Sequence, residues 1–169
     1  TLARWLGTER VVRAMPNTPA LVGQGMTGLY TPAATPDADR ELAESALRST
    51  GQLLWVDDEA LIDSVTAVSG SGPAYVFFFI EALEQAGVEM GLTAEQAHQL
   101  AVGTFTGASA LAAASNDTPA VLRQRVTSKG GTTFAAISSM EADRVKDSIV
   151  RALHAARLRA QELEQEFGR

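Results

Sequence analysis

The segment Ser128-Lys129-Gly130-Gly131-Thr132-Thr133-Phe134 runs two glycines and two threonines straight into a helical pattern continued by Ala135, Ala136, Ile137 and Met140. Such a helix start presents unshared backbone N–H groups at the positive end of a dipole, and so can hold an anion. The same residue types also suit a plain turn, with glycine permitting the bend and threonine capping the helix. Three other places carry groups that could take part in chemistry. Glu59 is a carboxylate at the start of a helical segment carrying Leu61 and Ile62, where a solvated acid is also favoured by the dipole. Asn17-Thr18-Pro19 follows a strand-like run and is equally an ordinary turn composition. Arg125 stands just ahead of the glycine segment, as a helix C-terminal cation or as a partner for an anion.

Composition excludes several classes of function. The chain has 169 residues, is 46% hydrophobic and 20% charged, and can therefore form one full core or one core and part of another. A net charge of -6, with no cluster of Lys and Arg, argues against nucleic acid as a partner. Arg151, Arg157 and Arg159 are followed on the same helical segment by Glu162, Glu164 and Glu166 and read as a solvated helix face. There is no Cys, and the two His residues are far apart, so no metal site is expected. The longest apolar run, residues 74–80, is too short to span a bilayer. No signal peptide is visible, and the cytoplasm is the expected location.

The elements that must position these groups change class near residue 57. Before it, strands are expected at 10–15, 25–30 and 53–56, with one helix over 36–50 opened by Asp37 and Asp39 and closed by Gly51. After it, every period is helical. Gly70-Ser71-Gly72 and Pro73 start a helix whose residues 74–86 are apolar on most faces, which implies deep burial, and Gly87 ends or bends it. Thr93-Ala94-Glu95-Gln96 is a capping box opening the next helix. Gly103 and Gly107 within it suggest that another backbone passes close by. Thr118-Pro119 opens a short helix, and Asp143 is expected to cap a long last one whose apolar stripe needs a partner, the natural source being a second subunit.

Four motifs now stand in order: Met15-Pro16-Asn17-Thr18-Pro19, Asp58-Glu59-Ala60-Leu61-Ile62-Asp63, Ser69-Gly70-Ser71-Gly72-Pro73-Ala74-Tyr75, and Val126-Thr127-Ser128-Lys129-Gly130-Gly131-Thr132-Thr133. Together, across nearly the whole chain, they resemble pyrroline-5-carboxylate reductase. The family makes L-proline in the last biosynthetic step, moving a hydride from NADPH or NADH to the cyclic imine 1-pyrroline-5-carboxylate. The resemblance implies a mainly α fold. Residues 1–57 are then the closing part of a truncated Rossmann-type α/β cofactor-binding domain, and 58–169 an all-α dimerisation and substrate-binding domain. It further implies that roughly the first hundred residues of the enzyme are absent, including the glycine loop for the pyrophosphate, so that the fragment is inactive alone.

The resemblance also assigns roles. Ser128, Gly130, Gly131, Thr132 and Thr133 bind the substrate, with the backbone N–H groups of Gly130, Gly131 and Thr132 cradling its carboxylate. Thr133 is the catalytic candidate beside the ring nitrogen, either donating a proton or only positioning the ring. Glu59 approaches the ring and stabilises the iminium. Asn17 and Thr18 contact the cofactor near the nicotinamide, and Arg125 stands near its phosphates. Two departures from the family pattern are Lys129, where many members have Pro, and Asn116-Asp117, where many have a Glu three positions before the proline matching Pro119. Two other readings remain open, a non-catalytic helical dimerisation module and another two-domain imine or β-hydroxyacid dehydrogenase.

Overall fold

A computed structural model describes residues 2–167; Gly168 and Arg169, which close the second expected domain, lie outside the described residues. The chain packs as two compact units, Thr1–Tyr75 with Val150–Arg169, and Val76–Ile149.

The first unit opens with a short helix α1 (Leu2–Leu6), for which the sequence carries no clear signal. Three strands follow, β1 (Arg13–Met15), β2 (Gly25–Tyr30) and β3 (Gly51–Trp55), forming a sheet in the order β1-β2-β3. β1 runs antiparallel to β2 with Arg13 opposite Tyr30, and β2 runs parallel to β3 with Leu29 opposite Trp55. A parallel pair needs a crossover, here supplied by α2 (Asp37–Leu47) and a 3₁₀ turn at Arg48–Thr50. β2 lies in the middle, and its Thr27 and Leu29 are fully buried. α3 (Leu61–Val65) packs against β2 and contributes the fully buried Ile62.

β1 is shorter than the expected strand at 10–15 for a local reason. The Arg10 N–H donates to Thr8 Oγ1 and the Val11 N–H to the Glu9 carbonyl, while the Val11 carbonyl accepts from the Thr31 hydroxyl at 2.8 Å. The backbone there is satisfied by turn and side-chain groups in place of a ladder. A π-helical turn (Thr66–Gly70), also without a sequence signal, joins α3 to α4 (Gly72–Glu89).

The second unit is helical throughout, built from most of α4, all of α5 (Ala94–Ala114), α6 (Pro119–Arg125) and α7 (Thr132–Ala142), and the first turn of α8 (Val145–Phe167). The capping box is present: the Gln96 N–H donates to Thr93 Oγ1 at 3.2 Å, and the Thr93 N–H donates to Gln96 Oε1 at 2.9 Å. Gly87 lies inside α4, which continues to Glu89. It is buried where α5 crosses, and a Cβ there would lie 2.9 Å from Ala97 Cβ. Asp143 closes α7, its N–H donating to Ser139 O, and Arg144 (φ 53) makes the turn into α8, so the expected cap belongs to the preceding helix.

The expected deep burial of α4 is not met within this chain. Phe77 is 58% exposed and Phe78 69%, and the buried residues of the second unit are Gly87, Ala97 and Ala101. Apolarity on every face records that a helix is to be covered without recording which chain covers it. Nothing among the described residues approaches Gly103 or Gly107 within 4 Å of where a Cβ would stand.

Candidate active site

The expected site residues fall in both units: Asn17, Thr18 and Glu59 in the first, and Arg125 with Ser128–Thr133 in the second.

In the first unit, Asn17 precedes the 3₁₀ turn Thr18–Val22 in an extended conformation, with Pro19 in its first turn. Its side-chain amide is committed to protein. Oδ1 accepts from the Met26 N–H at 2.9 Å, and Nδ2 donates to the Ser69 carbonyl and to Ser69 Oγ, each at 3.3 Å. Thr18 is exposed. Glu59 sits in the turn before α3, its carbonyl accepting from the Ile62 N–H at 3.0 Å, and its carboxylate pairs with Arg13 at 2.8 Å. Arg13 also reaches Glu164 on α8 at 3.4 Å. One turn beyond Glu59, Asp63 is 4% exposed, and burial raises its pKa above the ordinary carboxylate value, with Glu164 adding repulsion and Arg13 and Arg157 opposing it. A cleft beside this group is lined by Glu9, Arg13, Tyr30, Pro32 and Glu59.

Asp63 and Ser69 stand in the sequence motifs without an assigned role. Arg13 is a cation within a short strand-like run, and its partners lie 46 and 151 residues away.

In the second unit, the glycine segment connects α6 to α7. Gly130 has φ +77, a left-handed conformation that strains any residue with a side chain, and Gly131 is the residue ahead of the first turn of α7. The Gly131 N–H donates back to Ser128 O at 3.0 Å, closing the turn, while the first helical bond runs from Ala135 N–H to Gly131 O at 3.1 Å. No side chain caps this end. The N–H groups of Thr132, Thr133 and Phe134 therefore precede the helical ladder and point from an uncapped N-terminus, the arrangement that attracts a carboxylate. Ser128, Lys129, Gly130 and Thr132 are exposed, and Thr133 is half-buried.

α6 is held at both ends. The Thr118 hydroxyl accepts from the Val121 N–H at its start; at its end Arg123 pairs with Glu141 of α7 at 3.0 Å, and Arg125 pairs with Asp117. Arg125 remains 63% exposed, with Nη1 engaged by Asp117. Among the described residues no group of three or more His, Cys, Asp or Glu could hold a metal ion, and no helix is long and apolar enough to cross a membrane.

The family model described as pyrroline-5-carboxylate reductase dimerisation matches residues 59–163. A pyrroline-5-carboxylate reductase of Pseudomonas aeruginosa is 49% identical over 169 residues, covering 99% of this chain and 62% of its own length. One from Pisum sativum is 40% identical, covering 96% of this chain and 59% of its own length. Among solved structures, the pyrroline-5-carboxylate reductase of Coxiella burnetii superposes with a TM-score of 0.90 at 44% identity, over 96% of this chain and 60% of that one. The Plasmodium falciparum pyrroline carboxylate reductase, solved with NADP bound, gives 0.87 at 32% identity, over 95% of this chain and 65% of that one. The chain thus spans about three fifths of the length of the curated relatives it matches.

Proposed function

Because the chain belongs to the pyrroline-5-carboxylate reductase family, we propose that it supplies the dimerisation and substrate-binding part of an enzyme that reduces 1-pyrroline-5-carboxylate to L-proline with NADPH or NADH. The observation that carries this reading is the uncapped start of α7 behind the Gly130-Gly131 turn. An imine substrate bearing a carboxylate needs an anion cradle, and the N–H groups of Thr132, Thr133 and Phe134 provide one beside Ser128 and Gly130. Because Gly131 closes the turn with its own N–H, its part in substrate binding is to present the following amides. To the Thr133 hydroxyl, at the second helical position, we assign a hydrogen bond donated to the ring nitrogen. Reduction forms a C–H bond at the imine carbon, C2 of the pyrroline ring, while the π pair of C=N moves to nitrogen, which keeps or gains its proton. Glu59 stabilises the iminium that accepts the hydride.

The cofactor supplies the hydride when bound. The residues fit such a group in two respects: exposed Thr18 offers a hydroxyl, and exposed Arg125 keeps guanidinium donors beyond the one engaged by Asp117. The connection bearing Asn17 and Thr18, which follows β1, we assign to the nicotinamide side on the family resemblance. Division at 57/58 into cofactor-binding and helical parts follows the same reading. Open apolar faces on α4 and α5 support self-association as a homodimer, and the cytoplasm is the compartment we assign.

Steady-state oxidation of NADPH by the whole gene product, compared among wild type, Thr133→Ser and Thr133→Val, tests the site. Thr133→Val should lose about a hundredfold in kcat/KM while Thr133→Ser stays within about tenfold. Equal activity of all three would remove Thr133 from the chemistry.

A further inference from the structure

The π-helical turn at Thr66–Gly70 is closed by the Ser71 N–H donating to Thr66 O at 2.8 Å. Widening a helix by one residue leaves carbonyls without helical partners, and π turns recur where a protein holds a group at a functional site. Two side chains from outside the turn donate to carbonyls within it. The Tyr75 hydroxyl donates to Ala67 O at 3.1 Å, and Asn17 Nδ2 donates to Ser69 O. Asn17 Nδ2 also reaches Ser69 Oγ, and its Oδ1 takes the Met26 N–H at the start of β2. One part-buried amide therefore joins three pieces of backbone: the β1 to β2 connection, the first residues of β2, and the turn from which α4 begins.

We propose that Asn17 acts as a positioning residue, locking the π turn through Ser69, and that its side chain does not itself hold the cofactor. The inference rests on the reading that this connection faces the nicotinamide. An amide whose oxygen and nitrogen are both engaged by protein has little left for a ligand, whereas Thr18 beside it is exposed. Fixing Ser69 fixes where α4 starts, and small errors in such placement lower rate more than affinity.

The test uses the whole gene product with Asn17→Asp, Ser69→Ala and the double variant, measuring kcat and, separately, the cofactor dissociation constant by nicotinamide fluorescence. Asn17→Asp keeps the acceptor for the Met26 N–H and loses the donor to Ser69, so the strand start is retained. Expected are a fall in kcat of about tenfold for Asn17→Asp and about threefold for Ser69→Ala. The double variant should be no worse than Asn17→Asp by more than about twofold, because both changes remove one shared contact. Cofactor affinity should stay within about twofold of wild type. Weakened cofactor binding in Asn17→Asp with Ser69→Ala silent, independent multiplication of the two effects, or unchanged kcat would each overturn the proposal. Amide hydrogen exchange over residues 66–71 reads the lock without turnover: it should quicken in both single variants, and unchanged exchange would show that there is no lock. Wild-type protein that does not reduce the imine would instead count against the functional reading.

Discussion

Two buried polar side chains set the residue-scale energetics. Thr27 Oγ1 is buried in β2 with no partner among the described residues, so its hydroxyl costs desolvation without a compensating bond. Thr27→Val keeps the shape and should stabilise the protein by about 1 kcal/mol, read as a higher denaturant midpoint at unchanged slope. Asp63 behaves differently because it titrates. Its folded pKa lies above its unfolded value, chiefly from burial, so the folded state binds the proton more readily. Its contribution to stability is complete below the unfolded pKa and is lost as pH rises through the folded one. Asp63→Asn should therefore raise the midpoint at neutral pH, and the advantage should shrink as pH falls into the carboxylate range. A pH-independent difference would contradict burial as the cause. Neither residue could be ranked from sequence, because the burial that matters comes from elements far along the chain.

At the scale of elements, the legible features were those set by near neighbours. Thr93-Ala94-Glu95-Gln96 forms its capping box and Thr118-Pro119 its short helix, since the donors and acceptors lie within three residues of one another. β2 fell where it was expected, at Gly25–Tyr30. The π turn was illegible because the groups that satisfy it, Asn17 and Tyr75, belong to other segments. The Glu59 motif was visible, and its pairing with Arg13 was not. Gly87 shows the same limit, since a glycine late in a helix reads as a stop and proves to be a crossing point. Gly87→Ala should cost about 1 to 3 kcal/mol by forcing α4 from α5, measured as a lower midpoint, despite the better helix propensity of alanine. A stabilised variant would contradict the crossing.

For the whole molecule, the sequence showed that the helical part needs covering and the structure shows where. Phe77, Phe78, Leu100 and Leu111 stay open on α4 and α5, while the buried set of that unit is two alanines and a glycine. With so few fully buried residues among the 74 from Val76 through Ile149, we propose that association supplies part of the burial that stabilises this unit. Phe78→Asp should raise the dimer dissociation constant by about a hundredfold in sedimentation equilibrium and make thermal unfolding depend more strongly on concentration. Imine-dependent oxidation of NADPH or NADH by the whole gene product, followed with quantitation of proline, tests the proposed chemistry most directly. One L-proline formed for each cofactor oxidised is the expected result; a folded, dimeric gene product that oxidises neither cofactor in the presence of 1-pyrroline-5-carboxylate would contradict it.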